Sequence, residues 1–271
     1  MERSLETAAS KVPQITLAFW AIKILATTLG EVGGDAVSMS MHLGYLVGTA
    51  IFAVIFAGAL VVQIRARTFR PVAYWTTIVA STTVGTTLAD LVDRTLGIGY
   101  TGGATMLLAL LGASLFAWHR TTGTIAVESV RDARTELFYW LTITFSQTLG
   151  TALGDWVADT QAQGYLGGIA IFGTLLVLVA GLYRWTRVSR TALFWSAFVL
   201  TRPLGAVVGD FLDKPLASGG LDLSRYAGSL VLLASMATLI YLTARSPSRE
   251  TSTKLSRGRT STSKPRGSTP T

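Results

Sequence analysis

The chain has 271 residues, of which 50% are hydrophobic and 14% are charged, and its formal net charge is +8. Because it contains no cysteine, disulfides, thiolate metal sites and cysteine catalysis are excluded. Its two histidines, His42 and His119, do not form a histidine-rich metal motif. The basic residues lie in short loops and a tail, which is typical of membrane topology signals and argues against a nucleic-acid partner.

Residues 1–12 are polar and lack the apolar core and cleavage site of a signal peptide, so we expect a cytoplasmic N-terminal segment. Apolar stretches close to the length that crosses a bilayer as a helix, about 20 residues, then recur along the chain. They cover residues 14–37, 42–63, 71–92, 100–118, 136–157, 164–183, 191–212 and 225–243. The composition therefore predicts an all-α integral membrane protein with eight transmembrane helices in contact with the lipid bilayer.

One pattern occurs four times in the odd-numbered spans, with ten residues from a tryptophan to a glycine and five more to an aspartate. The copies are Trp20, Gly30, Asp35; Trp75, Gly85, Asp90; Trp140, Gly150, Asp155; and Trp195, Gly205, Asp210. Such a fixed register predicts four helical-hairpin repeats with the odd-numbered helices inside.

The tryptophans are separated by 55, 65 and 55 residues, so the extra length falls between the second and third copies. We therefore expect two pseudo-symmetric halves, residues 13–119 and 136–243, joined by a cytoplasmic linker over 120–135. Residues 244–271 are rich in Ser, Thr, Lys and Arg and predict a disordered basic cytoplasmic tail.

The orientation follows from the arginines, which occur after every even-numbered span. By the positive-inside rule these loops and both termini are cytoplasmic, as expected for a multi-pass protein of a bacterial inner membrane. Every hairpin then enters from the same side, so the repeats are predicted to be parallel.

Each odd-numbered span ends in an acid, and the glycines that precede the acids allow close helix approach. Converging carboxylates bind protons or hard cations such as Mn²⁺, Mg²⁺ or Ca²⁺. Asp35, Asp90, Asp155 and Asp210, with Glu31, are thus the predicted metal or proton site, and Asp93, Asp159 and Asp213 an outer vestibule. Alternatively, each aspartate only caps its hairpin or pairs with Arg94, Lys214 or Arg225.

A polar residue stands three positions before each repeated glycine, and this row predicts a pathway: Thr27, Thr82, Gln147 and Arg202. Arg202 would be costly in a membrane without a partner, and Glu31 lies at a similar depth. We therefore predict an Arg202–Glu31 coupling pair. Lys23 is expected to extend to the cytoplasmic interface, or else to serve as a gate or countercharge below Glu31.

The repeated aromatic-Trp, Thr-Thr-x-Gly and Gly-Asp elements, each followed by Gly-Tyr-x-x-Gly, resemble a family of uncharacterised bacterial multi-spanning membrane proteins over residues 13–243. This resemblance implies the membrane fold and no particular activity. The Gly34-Asp35 element also resembles part of the Glu-x-Gly-Asp-Lys/Arg-Ser/Thr motif of small manganese and calcium exchangers, although Glu31 is spaced differently.

Together these features predict a transporter of a divalent metal cation of the Mn²⁺, Mg²⁺ or Ca²⁺ type, with proton coupling left open. The first alternative is a proton-coupled transporter of a small anion or organic acid centred on Arg202, and the second is a membrane scaffold that transports nothing. No covalently bound cofactor is implied, and a homo-oligomer is left open. The sequence carries no phosphate-binding loop or nucleophile elbow, so we expect no enzyme, although paired acids leave an intramembrane aspartyl hydrolase as a minor alternative.

Overall fold

The computed structural model describes residues 10–66, 68–161 and 163–245, with only the backbone of Thr160. Within these ranges the chain forms eight α-helices and no strand, which confirms the all-α prediction. They are α1 (Leu17–Asp35), α2 (Gly44–Arg65), α3 (Pro71–Asp90), α4 (Gly99–Thr122), α5 (Ala133–Asp155), α6 (Gly164–Trp185), α7 (Arg190–Asp213) and α8 (Arg225–Arg245). Residues 1–9 of the predicted N-terminal segment, and the predicted tail beyond Arg245, lie outside the described residues.

Six helices in the described part of the chain are long and apolar enough to cross a membrane. They are α1 with the turn that follows it, α2, α4, α6, α7 and α8. The helices α3 and α5 are not among them because threonine and other polar side chains interrupt their apolar residues. These lengths and compositions indicate a membrane protein, and spanning by α3 and α5 stays a prediction.

The four odd-numbered helices form a closed ring in which α1 packs on α3, α3 on α5, α5 on α7 and α7 on α1. Each even-numbered helix lies outside this ring and packs on the inner helix of the next repeat: α2 on α3, α4 on α5, α6 on α7 and α8 on α1. The prediction that the odd helices are inner is confirmed. Because the contacts run continuously around the ring, the two predicted halves form one bundle.

The three outer helices α2, α6 and α8 are apolar and mostly exposed, as expected for surfaces that face lipid. The inner helices bury most of their polar as well as their apolar side chains. The odd-numbered helices carry many polar residues and the even-numbered helices are mostly apolar, and this difference decides which helices lie at the centre.

A π-helical turn continues each of the first three inner helices directly after its repeated aspartate, over Ala36–Ser40, Leu91–Thr95 and Trp156–Thr160. The fourth helix lacks this turn because Pro215 follows Lys214, and a residue before proline is pushed to extended backbone. Lys214 accordingly has φ −75° and ψ 154°. The fourth hairpin therefore has a longer connection than the other three.

Three outer helices begin with a glycine in the left-handed region, at φ +75° for Gly44, +76° for Gly99 and +64° for Gly164. Glycine adopts this conformation without steric cost, so the recurring Gly-Tyr pair marks a tight hairpin turn. The fourth copy has Arg225 at this place, and its longer loop instead turns at Gly219 and Asp222.

The N-terminal ends of the inner helices are joined by one aromatic cluster, which includes Tyr74, Trp75, Tyr139, Trp140 and Trp195. The tyrosine hydroxyls of α3 and α5 lie 2.6 Å apart within it. Such buried ring contacts contribute beyond their buried area. This end of the ring is closed by aromatic packing.

The N-terminal segment and the linker between α4 and α5 pack against the aromatic end of the ring. Lys11 donates to Glu136 at 2.7 Å, and the Trp195 indole donates to the Ile125 carbonyl at 3.0 Å. The linker ends at Asp132, which caps α5 by accepting from the Thr135 backbone at 2.7 Å, and this hydrogen bond lowers the pKa of the Asp132 carboxyl.

The repeated glycines make the ring compact. Each glycine packs against the next repeat, at the polar residue that stands three positions before the glycine of that next repeat. The pairs are Gly30 with Thr82, Gly85 with Gln147, Gly150 with Arg202, and Gly205 with Thr27. The four contacts are equivalent and close the ring. Small residues at these positions let neighbouring helix backbones approach closely.

We expect Gly85→Ala to lower the free energy of unfolding by about 1–3 kcal/mol, the usual cost of overpacking a core. A Cβ at Gly85 would lie 3.0 Å from the Thr148 amide nitrogen and 3.1 Å from the Gln147 carbonyl carbon, and backbone atoms cannot move aside easily. Gly112→Ala is the control, because a Cβ there meets nothing within 4 Å and should stabilise α4 slightly. Thermal unfolding in detergent compares them, and equal melting temperatures would contradict the close packing.

Candidate functional site

Each inner helix turns one row of residues, spaced four apart, towards the interior of the ring, and all of them are buried. We call these five levels layers one to five, from the aromatic end. They are Phe19, Tyr74, Tyr139, Phe194; Lys23, Ile78, Ile143, Phe198; Thr27, Thr82, Gln147, Arg202; Glu31, Thr86, Thr151, Ala206; and Asp35, Asp90, Asp155, Asp210. The interior thus changes from aromatic to strongly acidic along its length.

Arg202 of α7 lies at the centre of the ring and contacts the other three inner helices. Its guanidinium donates to Glu31 of α1 at 2.9 Å, to Thr86 of α3 at 2.5 Å and to Thr151 of α5. A guanidinium presents five donors in a rigid fork, so one side chain can bind several helices at once. This contact set fixes the four inner helices relative to one another.

The structure places Glu31 and Arg202 together as the sequence predicts, and both side chains are buried. The Thr86 hydroxyl lies 3.3 Å from the same Glu31 oxygen, within hydrogen-bonding distance. A buried ion pair needs such additional hydrogen bonds because the two charges have lost their hydration. The pair is therefore part of a network that also includes both threonines.

Lys23 does not extend to the interface, so that expectation is wrong. Its side chain is fully buried in layer two, where the ammonium lies 3.3 Å from the Gln147 side-chain oxygen and 4.2 Å from the centre of the Phe198 ring. The inward direction follows from the row spacing, since Lys23 is four residues before Thr27 and eight before Glu31. Lys23 is thus a second basic side chain inside the ring.

Layer three carries several buried donors without an acceptor among the described residues: the Arg202 Nε, the Gln147 side-chain nitrogen and the Thr82 hydroxyl. Thr27 differs, because its hydroxyl is bonded to backbone carbonyls, including that of Thr201 at 3.2 Å. Unpaired buried donors cost free energy, and three of them lie together at this level, close to Lys23 and Arg202.

The four aspartates of layer five lie at the same end of the ring, and two bases pair with them. Arg94 pairs with Asp90 at 2.7 Å and with Asp155 at 3.1 Å, whereas Lys214 pairs with Asp35 and, at 3.2 Å, with Asp210. The ion pairs thus divide the four carboxylates into two networks, and a shared metal or proton site stays a prediction. Each network joins two neighbouring repeats through one base.

The two bases occupy equivalent places, because Arg94 and Lys214 each follow the aspartate of their own repeat by four residues. The other two repeats have Met39 and Asp159 at this place. The second and fourth repeats therefore supply the bases that pair with the aspartates of the third and first repeats. The backbone approaches fourfold symmetry, and the charges of layer five follow a twofold pattern.

The predicted outer vestibule is only partly open. Asp93 is buried, with neither carboxylate oxygen hydrogen-bonded to a described residue, and Asp213 is buried and bound to Arg225 at 2.5 Å. Asp159 is the exception, since 44% of its side chain is exposed. Asp159 is therefore exposed as an outer position requires, its role in a vestibule stays a prediction, and Asp93 and Asp213 are buried instead of exposed.

One group of carboxylates has the geometry of a cation site. Asp35, Asp210 and Asp213 each place an oxygen within 4.8 Å of the other two. The same carboxylates contact the ammonium of Lys214 and the guanidinium of Arg225. A metal ion at this group would have to displace or outcompete these two side chains.

Thr86 and Thr151 are the site residues that our sequence reasoning missed. They stand directly after the repeated glycines of the second and third copies, at the position of Glu31 in the first. Aligning the four copies at this position would have placed Glu31, Thr86, Thr151 and Ala206 in one layer. The signal was present, but isolated threonines in an apolar helix are ambiguous because they often bond their own backbone.

These features define an all-α repeat protein with helices of membrane-spanning length and a buried, charged interior. The family described as Repeat of Unknown Function (DUF347) matches residues 18–69, 73–124, 138–189 and 193–248, and the chain belongs to this family. This match confirms the four repeats that the sequence predicts. No curated protein and no solved structure matches the chain.

The Arg202–Glu31 pair is tested by a double-mutant cycle on thermal stability. Arg202→Met alone leaves a buried carboxylate unpaired and should cost about 3–5 kcal/mol. The double variant Arg202→Met, Glu31→Met should be less destabilised than the sum of the single changes, by about 0.5–3 kcal/mol. Arg225→Met with Glu31→Met is the control cycle, since these residues share no contact, and should be additive. Additivity in both cycles would refute the coupling.

Proposed function

We propose that this protein is a proton-coupled membrane transporter of a small anion, and that layers two to four form its binding site. The observation that carries the proposal is the group of buried donors without acceptors beside Lys23 and Arg202. In the proposed arrangement all eight helices span a bacterial inner membrane as parallel hairpins. Both termini are cytoplasmic, and the acidic end of the ring faces outwards.

The balance of charge supports an anion at this level. Layers two to four contain two basic side chains, Lys23 and Arg202, and one acidic side chain, Glu31. In a low-dielectric interior an unbalanced charge is costly, and a bound anion would supply the missing countercharge. It would also accept hydrogen bonds from the Gln147 amide and the Arg202 Nε, which lack acceptors among the described residues.

The acids of layer five support proton coupling. This layer holds four carboxylates and contacts three bases, Arg94, Lys214 and, at 4.0 Å from Asp35, Arg225. Because Arg225 also pairs with Asp213, acids outnumber bases in both networks. Neighbouring carboxylates in a low-dielectric site favour the uptake of protons. In our proposal, protonation of one aspartate weakens its ion pair, which opens the outer end of the ring to the anion.

The two ends of the ring are closed by different side chains, and alternating access requires a closure at each end. Aromatic side chains close one end, where the Tyr74 and Tyr139 hydroxyls lie 2.6 Å apart. Ion pairs between neighbouring repeats close the other. We propose that the two closures open in turn, and that Arg202 keeps the inner helices together throughout.

The test measures anion-dependent proton uptake into proteoliposomes that contain a pH-sensitive dye, with sodium chloride, nitrate, acetate, phosphate or sulfate outside. We expect at least one of these anions to accelerate proton flux and to raise the melting temperature of the purified protein. Lys23→Met should weaken the apparent affinity for that anion at least tenfold, because it removes a cation from the site. Arg65→Met removes an equal charge from an exposed helix end and should change neither measurement.

Loss of the anion response in both variants would indicate a general effect of net charge and contradict the proposed site. If no anion in the panel changes flux or stability in the wild type, the proposal fails. A folded protein that also shows no response to metals would then fit the scaffold alternative.

A second candidate function is transport of a divalent metal cation, favoured by the carboxylate group of Asp35, Asp210 and Asp213. Three carboxylate oxygens are suitable ligands for Mn²⁺, Mg²⁺ or Ca²⁺. In this alternative Lys214 acts as a tethered cation that occupies the site between transport events. The two candidates place the substrate in different layers, so they predict different sensitive residues.

The metal candidate predicts that Mn²⁺, Mg²⁺ or Ca²⁺ raises the melting temperature by several degrees. A site filled at 100 times its dissociation constant adds about 2.7 kcal/mol. Asp213→Asn should abolish this shift, Asp159→Asn should preserve it as the matched exposed acid, and Lys214→Met should strengthen metal binding by removing the competing ammonium. Equal responses of Asp213→Asn and Asp159→Asn would exclude this carboxylate group as the site.

A further inference from the structure

A groove of about 830 Å³ opens on one side of the bundle, between α1, α6 and α7. Its wall includes Trp20 and Ile24 from α1, Val179 and Ala180 from α6, and Ala197 from α7. This volume lies within the usual range of sites for small molecules, about 300–1,000 Å³. The groove is apolar along the helices and reaches the interior layers at Phe194 of layer one.

The repeats show why this groove is open. Three outer helices have a large side chain at an equivalent place near the C-terminal end, counted from the start of the helix. These are Gln63 in α2, Trp118 in α4 and Tyr183 in α6, whereas α8 has Ala244. Gln63 is buried and donates to Glu136 of α5 at 3.0 Å. Trp118 is buried and packs edge-on against Trp195 of α7, with ring centres 5.8 Å apart. Both side chains close the space between their outer helix and the second inner helix.

Tyr183 does not close the corresponding space between α6 and α1. Its side chain is 59% exposed, and the Arg190 guanidinium stacks on its ring at 4.2 Å. Arg190 also donates to the Tyr183 carbonyl. The fourth position, between α8 and α3, is closed by direct helix contact, with Met236 buried in the aromatic cluster. The α6–α1 space therefore stays open while its three counterparts are filled.

The mouth of the groove carries positive charge. Arg190 lines it at the start of α7, and two further exposed arginines lie nearby in sequence, Arg184 in the last turn of α6 and Arg187 in the connection between α6 and α7. Among the described residues that line the groove, Glu128 is the one acid. Clustered arginines at the cytoplasmic end of membrane helices attract anionic lipid headgroups. Apolar walls below a basic mouth match the two chemical parts of a phospholipid.

We propose that this groove binds one acyl chain of an anionic phospholipid, whose phosphate is held by Arg190. This acyl chain takes the place of the side chains that fill the equivalent spaces in the other repeats. The lipid then contacts α1 and α7 next to Thr201, which lines the groove and whose carbonyl accepts a hydrogen bond from Thr27 of layer three. The inference rests on the membrane placement given under Proposed function and not on the identity of the substrate.

Native mass spectrometry of the purified full chain, titrated with palmitoyl-oleoyl phosphatidylglycerol or phosphatidylcholine, tests the site. The wild type should bind one phosphatidylglycerol at least tenfold more tightly than phosphatidylcholine. Ala197→Phe and Ala180→Phe fill the groove and should abolish this tight binding. Arg190→Gln should lower the preference for the anionic lipid while leaving acyl-chain binding in place.

Ala237→Phe on the exposed face of α8 is the matched control and should behave as the wild type. Ala180 is itself exposed at the groove wall, so its substitution should leave the fold intact even if Ala197→Phe lowers the melting temperature. Unchanged lipid binding in Ala180→Phe, or equal affinity for both lipids in the wild type, would overturn the proposal. So would a gain in lipid binding after deletion of residues 2–9, which would make that segment the native occupant. Lipid binding without any anion response would refute the transport proposal and keep this one.

Discussion

The buried guanidinium of Arg202 needs hydrogen-bond acceptors on three neighbouring helices, and the rest of the bundle depends on this constraint. Arg202 binds Glu31, Thr86 and Thr151, one from each of the other inner helices. An arginine left without partners in an apolar interior would cost several kcal/mol, so the four helices must keep the register that satisfies it. The glycine contacts serve the same end, because they let the helices approach closely enough for one side chain to reach all three. Stability and a polar interior are therefore compatible in this fold.

The four repeats share one backbone arrangement, and the residues that differ between them determine the chemistry of the interior. Each inner helix offers the same five interior positions, yet the four copies differ within every layer except the acidic one. Lys23, Glu31 and Arg202 occur once each, so the charged centre has no symmetry. In layer five the aspartates are identical, and the bases Arg94 and Lys214 lower the symmetry from fourfold to twofold. The open groove beside Tyr183 is a third departure from the repeat. The chemistry that is specific to single repeats therefore lies where the copies differ.

The cyclic exchange of outer helices explains how four similar hairpins become one unit. Each outer helix leaves its own inner helix and covers the next one, and α8 returns to α1. No repeat can bury its inner helix alone, so the four must assemble together. Such an arrangement holds the hairpins at their outer surfaces, while the two ends of the ring are held by different contacts. Aromatic packing depends little on pH or salt, whereas ion pairs depend on both, so the two ends differ in their chemistry.

The sequence by itself determined the helical class, the four repeats, the inner position of the odd helices and the Arg202–Glu31 pair. These follow from local periodicity, from the fixed Trp-Gly-Asp register and from the cost of an isolated buried charge. Only the tertiary structure decided that Lys23 points inwards, that the aspartates divide between Arg94 and Lys214, and that Thr86 and Thr151 complete the centre. Each of these depends on which helix stands next to which, and on whether a long side chain turns towards the ring or away from it. A sequence specifies the face on which a residue lies, but the partner across that face is set by packing of distant segments.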